Sequence, residues 1–398
     1  MSNKNTKRES GQILVFVVLF IVGLFAMLAL VLDGGNTYSK RRAAQNAADA
    51  GALAGARTLC ITKDASQAIA VAQDYATNKN ESDSADVVID GEGYVTVTTR
   101  ITFDTFFAHL IGRPRMTAEA VATSGCFPPT TALHILPIAW ACHPPISEAL
   151  SISDECQMQA IDEATLEYYQ ENPIPVPPPD PPPPIWPELY VIMNSDAQPD
   201  DLAAICQSAG GWLDCDLDDD GEDDLIANGD RSWLDLDGGG GGSSELIDWI
   251  NNGFPTTIPR HTWLGGQPGV ANNVFQAAGD HVGDIVLVPV FDQFCDNDPE
   301  TTCPSKYHTG LDNTVVTAGG NYYYHIISFA GFYISCVNAP GVPGPECPGH
   351  AVAVDQGIIA HNVKTIEGYF VTDEVLEGLG GGDPNAIDLG IYTLKLYR

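Results

Sequence analysis

The densest group of side chains able to do chemistry is Asp214-Cys215-Asp216-Leu217-Asp218-Asp219-Asp220-Gly221-Glu222-Asp223-Asp224. Oxygen donors two residues apart, followed by a glycine for the turn, suit a hard divalent cation. Asp216, Asp218, Asp220 and Gly221 fall at positions one, three, five and six of a calcium loop, with the Glu222 carbonyl at seven and Asp224 at nine. Position twelve is Ala227, so the bidentate glutamate of an EF-hand is missing. Two readings stand side by side: a shortened calcium loop that stabilises an extracellular module, and a solvated acidic loop tied by a Cys206–Cys215 bridge.

Redox chemistry comes next. The ten cysteines are Cys60, Cys126, Cys142, Cys156, Cys206, Cys215, Cys295, Cys303, Cys336 and Cys347, and none forms a Cys-x-x-Cys pair. That spacing argues against zinc and thiol-oxidoreductase sites, and an even count beyond an export segment reads as a disulfide framework, with free buried thiols as the alternative. Short separations favour Cys206–Cys215, Cys295–Cys303, Cys336–Cys347 and Cys142–Cys156, which leaves Cys60–Cys126 to bracket one module. No nucleophile elbow, His-Glu-x-x-His or Ser-x-x-Lys occurs, and the glycine run Gly238 to Gly242 lacks the Lys-Ser/Thr of a phosphate loop. No catalytic residue is assigned and the chain is not expected to be an enzyme; a Ser/His/Asp site assembled in three dimensions is the alternative.

The elements that must position these groups begin with an uncharged run, Ile13 to Leu32. Twenty helical residues at 1.5 Å each span the roughly 30 Å hydrocarbon core of a bilayer. Lys4, Lys7 and Arg8 flank it on one side and Lys40-Arg41-Arg42 on the other, so local charge leaves the positive-inside rule nearly undecided. The short N-terminal tail and the cysteine-rich remainder decide for a cytoplasmic N-terminus. A cleaved signal and a buried core helix are the alternatives to a permanent anchor.

Charge then bounds the partners. Residues 1–59 hold seven Lys or Arg against three Asp or Glu, whereas the remaining residues hold eleven against forty-nine. A body this acidic repels nucleic acid and anionic lipid, and no nucleic-acid partner is expected.

Beyond the run, the alanine-rich stretch Thr37 to Leu59 continues it as one long rod whose small-residue face lets other helices approach, self-association included. A second helix is expected over Asp64 to Asn78, then strands Asp86 to Asp90, Tyr94 to Phe103 and Met116 to Thr123. Asp104 is placed to cap a short helix ending at Gly112. From Phe127 the texture changes. A buried strand is expected over His134 to Ala141, an acidic helix over Glu148 to Tyr169, and an extended spacer over residues 173–187, ten of whose fifteen residues are proline. Strands are then expected at Ile285 to Phe291, Tyr322 to Phe329, Phe332 to Val337, Ala351 to Val354, Val363 to Val371 and Ile391 to Tyr397, with helices at Ser244 to Asn251 and Val270 to Ala278. The expected class is α+β: one transmembrane helix, a helix-plus-small-sheet stalk, then a β-rich, barrel-like or sandwich, disulfide-stapled ectodomain. The boundaries are a tail at 1–12, a span at 13–32, a stalk at 33–127 and the ectodomain at 128–398.

Glu9-Ser10-Gly11-Gln12, the apolar run, Asp33-Gly34-Gly35, and Arg41 to Ala56 with its Gln45-Asn46-Ala47-Ala48-Asp49-Ala50 core resemble the N-terminal region of TadG-like proteins of tight-adherence, Flp-type pilus systems. Residues 94–123 and the stretches 211–253 and 286–292 resemble later segments of such proteins. Prepilins carry a glutamate five residues after the processing glycine, whereas five residues after Gly11 stands Phe16. The resemblance therefore implies an anchored minor or accessory component in a bacterial cell membrane, with pilus or pilus-assembly proteins as partners, and not a processed shaft subunit. A calcium-stabilised surface adhesin unrelated to pili and an anchored extracellular enzyme are the competing readings.

Overall fold

The computed structural model describes residues 12–141, 160–179, 183, 188–191, 233–238, 242–267, 271–296, 322–355, 360–376 and 379–397. It is α+β and divides into two compact units: Met1–Cys126 with Leu394–Arg398, and Phe127–Thr393.

The first unit is built on α1, Gln12–Thr62, an unbroken 51-residue helix. At 1.5 Å per residue it is roughly 75 Å long. Its N-terminal third carries Leu14 to Leu32, whose large side chains stand exposed, and none of its most apolar stretch is buried in the protein. Its C-terminal half buries Ala44, Ala47, Ala48, Ala52 and Ala56 against the rest of the unit. Spacings of three and four residues put these on one face, as helical periodicity demands. That face receives α2, Ala65–Asp74, whose N-cap Asp64 accepts from the Ser66 and Gln67 N–H groups. A π turn, Tyr75–Lys79, continues it.

The sheet comes after it as β1 Ser84–Ile89, β2 Val95–Asp104 and β3 Arg115–Phe127, antiparallel in order β1-β2-β3. Along β2 the buried residues alternate: Val95, Val97, Thr99, Ile101 and Phe103. Opposite them β3 supplies Ala122, Ala120 and Ala118 beside Val97, Thr99 and Ile101. Small residues on one strand and larger ones on the next leave room for a close helix. The chain's last strand, Ile391–Tyr397, ends in this unit, where the Ser124 hydroxyl donates to the Lys395 carbonyl at 2.9 Å and Tyr94 meets Tyr397 edge to face.

The second unit is a branched eight-stranded sheet with a separate three-stranded patch, where the sequence predicts a barrel-like or sandwich domain. Its axis is the 17-residue strand Tyr322–Asn338. One edge of that strand pairs antiparallel with Ile285–Asp296; the other pairs with Thr262–Gln267 at one end and Thr365–Val371 at the other. Helices Ser243–Asn252 and Asn272–Gly279 bury Leu246, Trp249, Ile250, Val274 and Phe275 into one core with Trp233, Phe329 and Phe332.

Four expected elements differ. Ala351 to Val354 is not a strand but part of the helix Pro348–Asp355, because the Glu367 carboxylate reaches across from a neighbouring strand and holds the helix start. Of the acidic helix expected over Glu148 to Tyr169, residues 148–159 lie outside the described residues; after them Ala160–Ile161 is strand and the helix is Glu163–Glu171, its first turn capped by Asp162. Of His134 to Ala141 only Trp140–Ala141 is a strand; Ile135 and Ile138 make isolated bridges to Leu287 and Trp233. Tyr322 to Phe329 and Phe332 to Val337 fuse into one strand, Gly331 lying so close to Val371 and Ile391 that a side chain there would collide.

Candidate functional site

The expected calcium ligands Asp216, Asp218, Asp220, Glu222 and Asp224 lie outside the described residues, as do Cys142, Cys156, Cys206, Cys215 and Cys303. Cys295 belongs to the strand Ile285–Asp296. Among the described residues no cluster of His, Cys, Asp and Glu is arranged to hold a metal ion. The Cys60–Cys126 and Cys336–Cys347 pairings are both present.

The stalk is closely packed where α1 meets α2 and β2. The approach of α1 to α2 and β2 is set by two glycines. A Cβ at Gly51 would stand 2.9 Å from the Ala72 carbonyl oxygen, and one at Gly55 would stand 2.9 Å from Ala72 Cβ and 3.1 Å from Val95 Cγ1. Alanine and glycine bury little area each, so the contact gains from dispersion between backbones at close range. The buried Thr99 hydroxyl donates to the Ala44 carbonyl at 2.7 Å, tying sheet to helix by a bond that needs no larger partner. Cys60 near the end of α1 and Cys126 near the end of β3 close the unit. The buried alanines and glycines of α1 thus pack against α2 and β2 of the same chain.

At the other end of the alanine-rich segment stands Asp33, the first charged residue after the apolar run. Its carboxylate accepts three backbone N–H groups, from Phe106 at 2.6 Å, Phe107 at 3.0 Å and Ala108 at 2.7 Å. Desolvation pushes this carboxyl up, but the three N–H donors outweigh it and hold it below the usual carboxylate range. Asp33, not Asp104, therefore holds the start of the short turn Ala108–Ile111, while Asp104 pairs with Arg115 at 3.1 Å. Gly112 closes the turn at φ 84°, a left-handed conformation that glycine adopts without strain. One turn along α1, the Asn36 amide donates to the Asp104 carbonyl at 3.4 Å. Gly34 and Gly35 have open space around them, and a glycine pair weakens a helix by roughly 1 kcal/mol per residue, so this brace spans the weakest point of the rod. The sequence signal for Asp33 is a lone carboxylate where an apolar helix leaves its uncharged stretch.

The second unit holds a buried acid that no sequence motif marks. Glu367 is fully buried and accepts N–H groups from Gly349 at 2.9 Å and His350 at 2.6 Å, capping the helix Pro348–Asp355. Burial pushes its carboxyl up to about 7, against those two bonds, and the Glu346 charge adds to the rise. The buried His350 places Nδ1 3.1 Å from Glu346 Oε1. A Cβ at Gly349 would lie 3.1 Å from the Glu367 carboxylate, close enough that the carboxylate would have to give way. A cavity of about 450 Å³ elsewhere in the unit is lined by His281 and Asp284, 3.1 Å apart, with His134, Asn251 and Asn252. No hydroxyl, thiol or amine nucleophile is among its described lining residues.

Residues 11–58, from the start of the apolar run to the end of the alanine face, match the family model of TadE/G-like Flp pilus-assembly proteins. The match suggests involvement in Flp pilus assembly, and with the exposed apolar helix it fits a membrane-anchored protein. No curated protein and no solved structure matches the chain.

Proposed function

We propose that the chain is a membrane-anchored accessory component of Flp-type pilus assembly that acts by anchoring and binding, with its N-terminus in the cytoplasm and the rest of the chain beyond the membrane. The observation that carries this reading is the single helix α1. The segment that resembles the pilus-assembly family is the same segment that passes, without a break, from an exposed apolar surface to an alanine face locked under a sheet. Such an element transmits load from a bilayer to a folded body with no flexible joint between them. The two disulfides support the orientation, since bridges persist in oxidising compartments. No chemistry of its own is assigned to the protein.

Crosslinking in native envelopes followed by capture of the full chain tests the reading. Pilus subunits or assembly proteins among the crosslinked species are the expected result. A C-terminal reporter active in the cytoplasm would contradict the orientation, and capture of surface polymers without any pilus protein would favour an adhesin.

A further inference from the structure

The membrane end of the stalk carries a surface that its own packing leaves uncovered. The apolar run ends at Leu32, and the next residue holds the loop after β2 through three N–H bonds, with Phe106 nitrogen 2.6 Å from the Asp33 carboxylate. A helical side chain leans toward the N-terminus of its own helix, so this carboxylate reaches back toward the apolar run, and the loop lies level with its end. The Asn36–Asp104 bond one turn further on fixes the direction in which β2 descends along α1. At that level the loop exposes Phe106 and Leu110, 63% and 73% accessible. The exposed side chains of Arg113 and Arg115 come directly after.

We propose that the loop from Thr105 to Arg115 is a second membrane contact, with Phe106 and Leu110 entering the headgroup layer from which α1 emerges and Arg113 facing lipid phosphates. The proposal rests on the reading that residues 13–32 span a bilayer. Lipid is the occupant for two reasons. The exposed side chains are continuous in height with the exposed apolar surface of α1, and the exposed Arg113 guanidinium complements anionic headgroups, Arg115 being paired with Asp104, although the body of the protein is acidic. An aromatic ring at the headgroup level is where such a side chain partitions best. The Asp33 clamp then has a purpose beyond bracing the glycine pair: it fixes the height of the wedge relative to the helix, so that stalk and bilayer meet at two points and the stalk cannot tilt freely.

The test uses the full chain in nanodiscs of phosphatidylethanolamine and phosphatidylglycerol, with p-benzoylphenylalanine replacing one residue at a time. Leu24 reports the span and Phe106 the wedge. Val88 is an exposed control opposite Thr96, about 25 Å up the sheet from Asp104 at roughly 3.3 Å per residue. Irradiation followed by mass spectrometry should show lipid adducts at positions 24 and 106 and none at 88, and Asp33→Ala should reduce the adduct at 106 several-fold. Labelling at 24 but not at 106 would overturn the wedge and leave the anchor standing. Labelling at 106 of a second protein chain instead of lipid, or equal labelling at 88 and 106, would also overturn it. Absence of adduct at 24 would remove the anchor, and the wedge with it.

Discussion

Two stretches of the same helix, residues 14–32 and 44–60, have the same backbone and opposite side chains. The first presents Leu, Val, Ile and Phe outward with none of its most apolar part buried. The second buries alanine and glycine so tightly that a methyl at Gly51 would meet a carbonyl. Large apolar side chains on the outside need a solvent of hydrocarbon. Small ones on the inside need a partner backbone within reach. One continuous hydrogen-bonded rod can therefore serve two environments, the difference residing wholly in side-chain volume. The contrast recurs in two carboxylates that accept backbone N–H groups. Asp33, at the surface, is held below the ordinary range, whereas Glu367, in the interior, is pushed up to about 7.

The strongest way to break the comparison is to place charge in each stretch. Leu19→Arg, Val22→Arg and Phe25→Arg together should cost roughly 9 kcal/mol of insertion at about 3 kcal/mol each. The triple variant should move from the membrane pellet to the soluble fraction on alkaline extraction, whereas Ala48→Arg should stay in the pellet with its stalk unfolded. Next in size is Cys60→Ser with Cys126→Ser. A bridge closing a loop of this separation, 66 residues, restricts the unfolded chain by about 4 kcal/mol. Urea unfolding of the stalk should shift accordingly, with membrane retention unchanged.

The carboxylate contrast gives a pH prediction. Because the folded pKa of Glu367 is raised, its carboxyl is neutral in the folded protein where it is already ionised in the unfolded chain. The contribution of Glu367 to the stability of the second unit should therefore be fullest below about 4.5 and fall as pH rises through about 7, by on the order of 3 kcal/mol. Glu367→Gln should flatten that profile in near-ultraviolet melts between those limits. The smallest effect sharpens the volume argument. Gly51→Ala should destabilise the stalk by about 1–2 kcal/mol, overpacking outweighing a helix-propensity gain of about 1 kcal/mol. Gly23→Ala, with open space around its Cβ position, should cost nothing.

The parts of this architecture visible in the sequence are those with a one-dimensional signature. An uncharged run, an alanine periodicity of three and four, and alternating Val95, Val97, Thr99 and Ile101 each announce an element and its buried face. Pairing by proximity anticipates Cys336–Cys347, and elimination anticipates Cys60–Cys126. The features that escape depend on contacts between residues far apart in the chain. Asp104 has the position of a cap for the short turn after it, yet a carboxylate 73 residues away from Phe106 takes that role. Ala351 to Val354 has the apolar character of a strand, but Glu367 supplies acceptors to the first N–H groups of a helix there and decides the matter. The cover that α2 and β2 give the alanine face is likewise a contact between residues far apart in the chain.

Hydrogen exchange of the full chain in nanodiscs, read separately over residues 14–32 and 44–60, tests the central claim most directly. Amides of both stretches should exchange slowly in the native protein. With Gly51→Leu, which forces α2 away from α1, protection should be lost over 44–60 and kept over 14–32, where the bilayer and not the protein excludes water. Loss of protection in both stretches together would contradict the account, because it would show that the apolar run depends on the same protein packing as the alanine face.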